Sequence, residues 1–143
     1  MVRVCYSCVV DFPIEAAWKM IGNFGDLSWF NPDVKVTLEK GVSDLLPSRR
    51  NQMGDKVTKE NLLGVKDEPD HKFLRYSVEK GFEFFNVDNY VGCMNLYRIT
   101  QSNQTFFVWE VNFDLRQGEE KVQEDIVNFV SSIVKGLSEF KFK

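Results

Sequence analysis

The sequence predicts an α+β fold in which an antiparallel sheet is covered on one face by a long C-terminal helix. Two observations carry this prediction. Much of the chain between residues 2 and 115 alternates apolar and polar side chains, whereas after Gly118 the apolar residues recur at helical spacing. A chain of 143 residues is close to the commonest domain size, so we expect residues 1–143 to form one domain.

The N-terminal segment is predicted to be a strand followed by short helices. Val2–Val10 alternates as a strand with one buried face does. Apolar residues then recur at helical spacing between Pro13, which suits a first helical turn, and Gly22, which can end a helix. Asp26–Phe30 is predicted to form a second short helix that stops before Asn31-Pro32.

The middle of the chain is predicted to contain six strands. Turn signals stand at Gly54-Asp55, Asp67–Asp70, Gly81 and Ser102-Asn103, and the polar segment Gly41–Ser48 is predicted to be a loop. Together with Val2–Val10 these strands are expected to form an antiparallel sheet. The predicted strands are Val34–Leu38, Arg49–Met53, Lys56–Val65, Phe73–Glu79, Phe84–Thr100 and Thr105–Leu115.

The C-terminal segment has one apolar stripe at helical spacing. Glu119 and Glu120 at its start suit the positive end of a helix dipole. A helix of about 22 residues would be about 33 Å long, enough to cross a sheet and cover its apolar face. The stripe consists of Val122, Ile126, Phe129, Val130, Ile133, Leu137 and Phe140.

Charge and hydropathy exclude two classes of partner. The net charge is −3 and the basic residues are scattered, with Arg49-Arg50 the only adjacent arginine pair, so we expect no nucleic-acid binding. The N-terminal residues lack the features of a signal peptide, and no apolar stretch approaches the roughly 20 residues that cross a bilayer. We therefore expect a cytoplasmic protein without membrane insertion.

Cysteine and histidine usage argues against metal or redox chemistry. The three cysteines are an odd number, which favours free thiols. Cys5 and Cys8 lie on a predicted strand, where residues three apart point to opposite faces, and Cys93 is predicted to be structural. His71, the one histidine, lies in a polar segment and is predicted to be solvated without a chemical role. We expect no metal and no cofactor.

The aromatic content is high for a small domain, with 13 Phe, 4 Tyr and 3 Trp. Large rings suit either a solid core or the wall of a cavity for an apolar guest, and periodicity alone leaves both open. Gly92 could leave room for such a guest. The residues predicted to contact it are Trp29, Leu62, Tyr76, Tyr90, Gly92, Met94, Trp109, Val111, Phe113, Ile126, Phe129 and Ile133.

Polar residues on the predicted hairpin could orient a guest. A two-residue turn at Gly54-Asp55 places Arg49 opposite Glu60, and opposed residues project to the same face. Inside a cavity this pair could orient or protonate a polar group, and the Tyr90 hydroxyl could donate a hydrogen bond. The alternative is a salt bridge at the rim, worth less than about 1 kcal/mol.

Three short motifs stand in order along the chain: Val10–Trp18, with a proline and a helical tryptophan; Phe24–Pro32, with Trp29 before the proline; and Glu60–Leu63, followed by Asp67-Glu68. Together they resemble the START-like, polyketide cyclase/dehydrase superfamily. The resemblance implies a helix-grip fold, in which a curved seven-stranded sheet wraps around the long helix over a ligand cavity.

The same resemblance suggests site residues. Relatives include abscisic-acid receptors, birch-pollen-type allergens, lipid-transfer domains, aromatic polyketide cyclases and the onion lachrymatory-factor synthase. Some of them have a pocket glutamate at the position of Glu60, with an arginine on the preceding strand that matches Arg49 or Arg50. A cavity-lining tyrosine near Tyr90 is also implied. The functions of these relatives differ, so the fold alone does not give the function.

Three functions remain open from the sequence. The first is a carrier for a small hydrophobic molecule such as a lipid or polyketide, which needs only an apolar pocket with a few polar groups. The second is a cofactor-free cyclase, dehydratase or isomerase with Glu60 as acid/base. The third is a module whose loops Gly41–Ser48 and Gly81–Phe85 close onto a protein partner when ligand binds.

Overall fold

The computed structural model describes residues 1–140, which form a seven-stranded antiparallel sheet and two helices. The elements are β1 (Val2–Val10), α1 (Ile14–Ile21), β2 (Lys35–Glu39), β3 (Ser48–Met53), β4 (Lys56–Asp67), β5 (His71–Val78), β6 (Val87–Ile99), β7 (Gln104–Leu115) and α2 (Val122–Ser138). The strand order is β1-β7-β6-β5-β4-β3-β2, so β2 to β7 form a meander and the last strand, β7, also pairs with β1. The predicted α+β fold with a curved sheet and a C-terminal helix is confirmed.

The predicted second short helix is wrong. Around Asp26–Phe30 the chain makes hydrogen-bonded turns, in which the Phe30 and Asn31 N–H groups both donate to the Leu27 carbonyl at 2.9 Å. The Asp26 carboxylate accepts from Ser28 N at 2.8 Å, and the Asn31 side chain accepts from Asp33 N at 2.9 Å. Such side-chain acceptors compete with helical hydrogen bonds, which is why no helix propagates here.

His71 lies in a strand rather than in a solvated turn, which corrects the prediction. It begins β5 opposite Tyr97 of β6, and its ring stacks on Tyr97 with centroids 4.4 Å apart. Its Nε2 lies 3.0 Å from Asn95 Oδ1 and its Nδ1 lies 3.0 Å from Lys66 Nζ. These contacts hold the half-buried ring on the outer face of the sheet.

β6 begins at Val87, later than the predicted Phe84, because the chain before it turns. Gly81 has a φ of 91°, which only glycine adopts easily, and it breaks the strand direction as predicted. A bulge between Asp88 and Val91, with Asn89 at a φ of 55°, then bends the start of β6. The segment from Gly81 to Asn86 is therefore a loop at the open end of the sheet.

The C-terminal helix α2 has 17 residues, shorter than the predicted length. It packs chiefly against β1 and also against β7, where Ile126, Val130 and Val134 are buried in the core. Because α2 covers this side of the sheet, the concave face of β3 to β6 is left for other groups to fill. No helix among residues 1–140 combines the length and the apolar character needed to span a membrane.

Candidate ligand-binding cavity

A cavity of about 220 Å³ lies between the concave face of the sheet, α2 and two connecting segments. A cavity of about 150 Å³ can hold benzene when it is lined by apolar side chains, so this one has room for a somewhat larger molecule. Its lining includes residues of β3 to β7. It also includes residues of the turns before β2, of the loop before β6 and of α2.

Eight of the residues selected from the sequence lie on the cavity wall. They come from five strands and from α2, so the fold brings together side chains that are far apart in the chain. They are Arg49, Glu60, Tyr76, Tyr90, Met94, Trp109, Phe129 and Ile133. The predicted pairing of Arg49 with Glu60 across the hairpin is also present, next to Asn51↔Thr58 and Met53↔Lys56.

The other selected apolar residues are not part of this wall. Val111, Phe113 and Ile126 are at most 1% exposed, and they fill the core between the sheet and α2. Leu62 is also buried in the core. Trp29 is half-buried against Phe30, with ring centroids 6.1 Å apart, while Phe30 itself lines the cavity.

Gly92 makes room for a side chain of the protein rather than for a guest, which corrects the expectation. A Cβ atom at Gly92 would lie 2.4 Å from Tyr76 Cζ, well inside contact distance. Gly92 and Tyr76 are opposed on β6 and β5, so the tyrosine ring lies directly over the glycine backbone. This close approach holds the Tyr76 hydroxyl at the cavity wall.

Phe129 of α2 is the centre of an aromatic cluster at the cavity. Its ring lies 5.7 Å from Phe30, 6.0 Å from Phe84, 5.3 Å from Phe85 and 6.0 Å from Trp109, measured between centroids. The sequence analysis missed Phe30, Phe84 and Phe85 as lining residues. The available signal was the adjacent pair Phe84-Phe85, shortly after Gly81. Neighbouring residues of a strand point to opposite faces, so two consecutive aromatic residues that reach one cavity indicate a loop rather than a strand.

Lys56 connects the hairpin to the loop before β6. Its ammonium donates to the Phe84 carbonyl at 3.0 Å and lies 4.3 Å from the centroid of the Phe84 ring. Lys56, Met53 and Phe84 are exposed although they line the cavity, so they mark its solvent side. The loop Gly41–Ser48 contributes nothing to the lining, whereas Gly81–Phe85 contributes Glu83, Phe84 and Phe85.

The polar part of the wall is a buried ion pair with an added amide. Arg49 Nε lies 2.8 Å from Glu60 Oε1, and the two side chains are 5% and 12% exposed. Asn51 Nδ2 donates to the same oxygen at 2.6 Å. Asn51 was missed from the sequence, although it lies two residues from Arg49 and therefore on the same face of β3.

Further contacts fix the Arg49 guanidinium. Its Nη1 donates to the Phe24 carbonyl at 3.2 Å, and its central carbon lies 4.2 Å from the Phe24 ring centroid and 5.6 Å from that of Tyr76. A planar guanidinium suits such stacking. Arg50 projects to the other face, where it pairs with Glu39 at 2.7 Å and does not line the cavity. Arg49 is therefore the arginine at the cavity.

Two tyrosine hydroxyls complete the polar wall. Burial raises the pKa of Tyr76 above its ordinary value, and the negative charge of Glu60 raises it further. Burial likewise raises the pKa of Tyr90, with a smaller contribution from the neighbouring Tyr76. Both phenols therefore stay protonated at neutral pH, and their hydroxyls are close enough to hydrogen-bond to each other at the cavity wall.

The described residues offer no obvious metal centre. Within residues 1–140, no cluster of three or more His, Cys, Asp or Glu side chains is arranged to hold a metal ion. Cys5, Cys8 and Cys93 are free thiols, and burial raises the pKa of Cys8 to about 11.

Solved structures of other proteins have the same overall architecture. An uncharacterized protein from Bacillus thuringiensis aligns over 96% of this chain and 97% of its own, with 21% identity and a TM-score of 0.79. The XoxI protein from Bacillus cereus aligns over 97% and 94%, with 22% identity and a TM-score of 0.79. Their likeness to this chain shows the fold alone. Neither a protein-family model nor a curated protein matches the chain by sequence.

A third similar structure belongs to a larger, two-domain protein. The di-domain ARO/CYC protein BexL, from the BE-7585A biosynthetic pathway, aligns over 97% of this chain with 13% identity and a TM-score of 0.75. The alignment covers 46% of BexL, so this chain spans about half of that protein. At this identity the match again shows a shared fold.

Proposed function

We propose that the protein is a START-like, helix-grip protein that binds one small, largely apolar molecule in its internal cavity. The observation that carries the proposal is the 220 Å³ cavity itself, whose wall combines an aromatic cluster with a few convergent polar groups. Ligand sites of small molecules commonly have this composition. The fold shared with BexL supports the superfamily assignment suggested by the sequence motifs.

Filling the cavity from one strand tests this proposal. Thr58 of β4 lines the cavity, whereas its neighbour Val57 does not, so Thr58→Trp and Val57→Trp place the same bulk on opposite faces. Calorimetric titration with 2-tetralol, a neutral bicyclic alcohol, should show binding to the wild type and to Val57→Trp. Thr58→Trp should reduce the affinity by at least about tenfold. Equal affinity for both variants would contradict binding in the cavity.

The second candidate is a cofactor-free enzyme of the cyclase, dehydratase or isomerase type. The specific observation in its favour is the buried Arg49–Glu60 pair on a wall that also displays Tyr76 and Tyr90. A carboxylate can remove a proton from carbon next to a ketone, while the arginine and a phenol stabilise the negative charge that develops on oxygen. Only Glu60 would accept the proton in this scheme.

Proton exchange distinguishes the enzyme from the carrier. The ketone 2-tetralone exchanges the hydrogens next to its carbonyl in D₂O through its enol, and NMR follows this exchange without knowledge of the natural substrate. An enzyme of the proposed type accelerates the exchange, and Glu60→Gln removes the acceleration while ligand binding persists. Exchange at the uncatalysed rate, with 2-tetralone bound, supports the carrier.

Two further proposals concern location and partners. We propose a cytoplasmic location, because the three free cysteines suit a reducing compartment.

We also propose that the loops Gly41–Ser48 and Gly81–Phe85 can contact a protein partner. Support for the partner comes from Val42 and Leu45, apolar side chains that are both 89% exposed. Cross-linking at Val42→Cys in cell extract, with and without 2-tetralol, would test whether such a contact exists.

A further inference from the structure

The two carboxylate oxygens of Glu60 have different surroundings. Oε1 accepts from Arg49 Nε at 2.8 Å and from Asn51 Nδ2 at 2.6 Å. Within residues 1–140 no group donates to Oε2, and Oε2 does not belong to the polar atoms that are sealed inside the protein without a partner. Since Glu60 lines the cavity, Oε2 is an accessible acceptor at an otherwise largely apolar wall.

We propose that the bound molecule donates a hydrogen bond to Glu60 Oε2, so that the ligand is a neutral, apolar molecule with one hydroxyl or N–H group. This rests on the proposed function, because it specifies the ligand of the same cavity. A charged oxygen enclosed with an apolar guest loses its water, and that loss is offset only when the guest supplies a donor. The positive charge of Arg49 already neutralises Glu60, so a charged ligand is not required.

Asn51 has a positioning role in this scheme. Together with Arg49 it occupies Oε1, so Oε2 is the oxygen of this carboxylate that remains for a ligand. The same two donors predict an unusual outcome for Glu60→Gln. The glutamine oxygen would stay with the two N–H donors, so the amide nitrogen would take the place of Oε2. The substitution would thus change an acceptor at the cavity into a donor.

A pair of probes with one skeleton tests the proposal. 2-Tetralol carries a hydroxyl donor, whereas 2-tetralone carries a carbonyl acceptor, and both have the same number of non-hydrogen atoms. Hydrogen bonds to charged groups contribute about 1.5–3 kcal/mol, so calorimetry on the wild type should show the alcohol bound at least about tenfold more tightly than the ketone. The methyl ether 2-methoxytetralin, which has no donor, should bind as weakly as the ketone.

Glu60→Gln should reverse the preference, so that the ketone binds at least as tightly as the alcohol. The matched control is Glu39→Gln, which changes an arginine-paired glutamate on the outer face and should leave the tenfold preference intact. Thermal unfolding establishes that both variants are folded. If Glu60→Gln does not fold, the comparison of alcohol, ketone and ether on the wild type decides alone.

The outcomes separate the two proposals. Binding of all three probes with equal affinity to the wild type overturns the hydrogen bond to Oε2 and leaves the apolar cavity in place. An unchanged alcohol preference in folded Glu60→Gln also overturns it. Binding of none of the probes overturns the proposed function, and the inference about Oε2 then falls with it.

Discussion

Two neighbouring arginines on β3 form ion pairs of nearly the same length in opposite environments. Arg49 and Glu60 lie 2.8 Å apart on the concave face, with side chains 5% and 12% exposed. Arg50 and Glu39 lie 2.7 Å apart on the convex face, with side chains 38% and 29% exposed. Consecutive residues of a strand point to opposite faces, so one residue step separates a cavity group from a surface group.

The comparison shows that distance alone does not give the role of an ion pair. The outer pair is solvated and shares Glu39 with Lys59, whose Nζ lies 3.6 Å away, so each charge has water as an alternative partner. The inner pair has lost most of its water. Its charges depend on each other, on Asn51 and on the Phe24 carbonyl. Substitutions on the two faces should therefore differ strongly.

The largest contrast is expected between removal of Arg49 and removal of Arg50. Arg49→Ala leaves the Glu60 carboxylate without its main partner in a buried site, and loss of one partner of a buried pair costs about 3–5 kcal/mol of unfolding free energy. Arg50→Ala breaks an exposed pair and should cost less than about 1 kcal/mol. Urea unfolding of both variants measures the difference. Equal losses would show that the inner pair is not effectively buried.

Glycines on the two faces should give the next largest contrast. Gly92→Ala places a methyl group against the Tyr76 ring and should cost about 1–3 kcal/mol, as overpacking of a core typically does. At Gly64 the nearest atom to an added Cβ is Phe73 Cε1 at 3.8 Å, an ordinary contact. Gly64→Ala should therefore change the stability by less than about 0.5 kcal/mol. If Gly92→Ala leaves the free energy of unfolding unchanged, the Tyr76 ring does not pack directly against the Gly92 backbone.

Alkaline pH should destabilise the protein through the inner tyrosines. The pKa of Tyr76 and that of Tyr90 are raised in the folded protein, so the unfolded chain releases these protons first, from about pH 10 upward. The contribution of these two phenols to the free energy of unfolding is fully present below pH 10. Above pH 10 it falls by up to about 1.4 kcal/mol per pH unit for each group. Thermal unfolding between pH 9 and 11.5 should show a shallower decline for Tyr76→Phe than for the wild type. Identical slopes would contradict a raised pKa for Tyr76.

The smallest effect concerns Asn51. Asn51→Ala removes one donor from Glu60 Oε1 and lets the carboxylate turn, so the preference for 2-tetralol over 2-tetralone should narrow by about two- to threefold. The substitution Gln52→Ala, at the next residue of β3, is the control on the opposite face and should leave the preference unchanged. If Asn51→Ala keeps the full preference, Asn51 does not position the carboxylate.

Much of this arrangement could be predicted from local rules. The two-residue turn at Gly54-Asp55 sets the register of the hairpin, and the register places Arg49 opposite Glu60, as the structure confirms. Alternation along β7 likewise placed Trp109 on the inner face. Asn51 could have been found by the same alternation. An uncharged amide, however, gives no signal of its own in a pattern of charges, although it can complete an ion pair in a buried site.

Other features depend on tertiary contacts that a periodic pattern does not contain. Val111 and Phe113 share a face with Trp109, but α2 lies nearer to β1 and β7, so these two residues fill the core instead of the cavity wall. The place of Phe84 and Phe85 depends on a loop that ends at a bulge, and the role of Gly92 depends on a ring from the neighbouring strand. In each case the position follows from packing between elements.

A crystal structure with bound 2-tetralol tests the central claim most directly. The account predicts electron density for the bicyclic ring between Trp109 and Phe129, with the ligand hydroxyl at hydrogen-bond distance from Glu60 Oε2. A cavity without ligand density, in crystals where 2-tetralol occupies another surface of the protein, would contradict it.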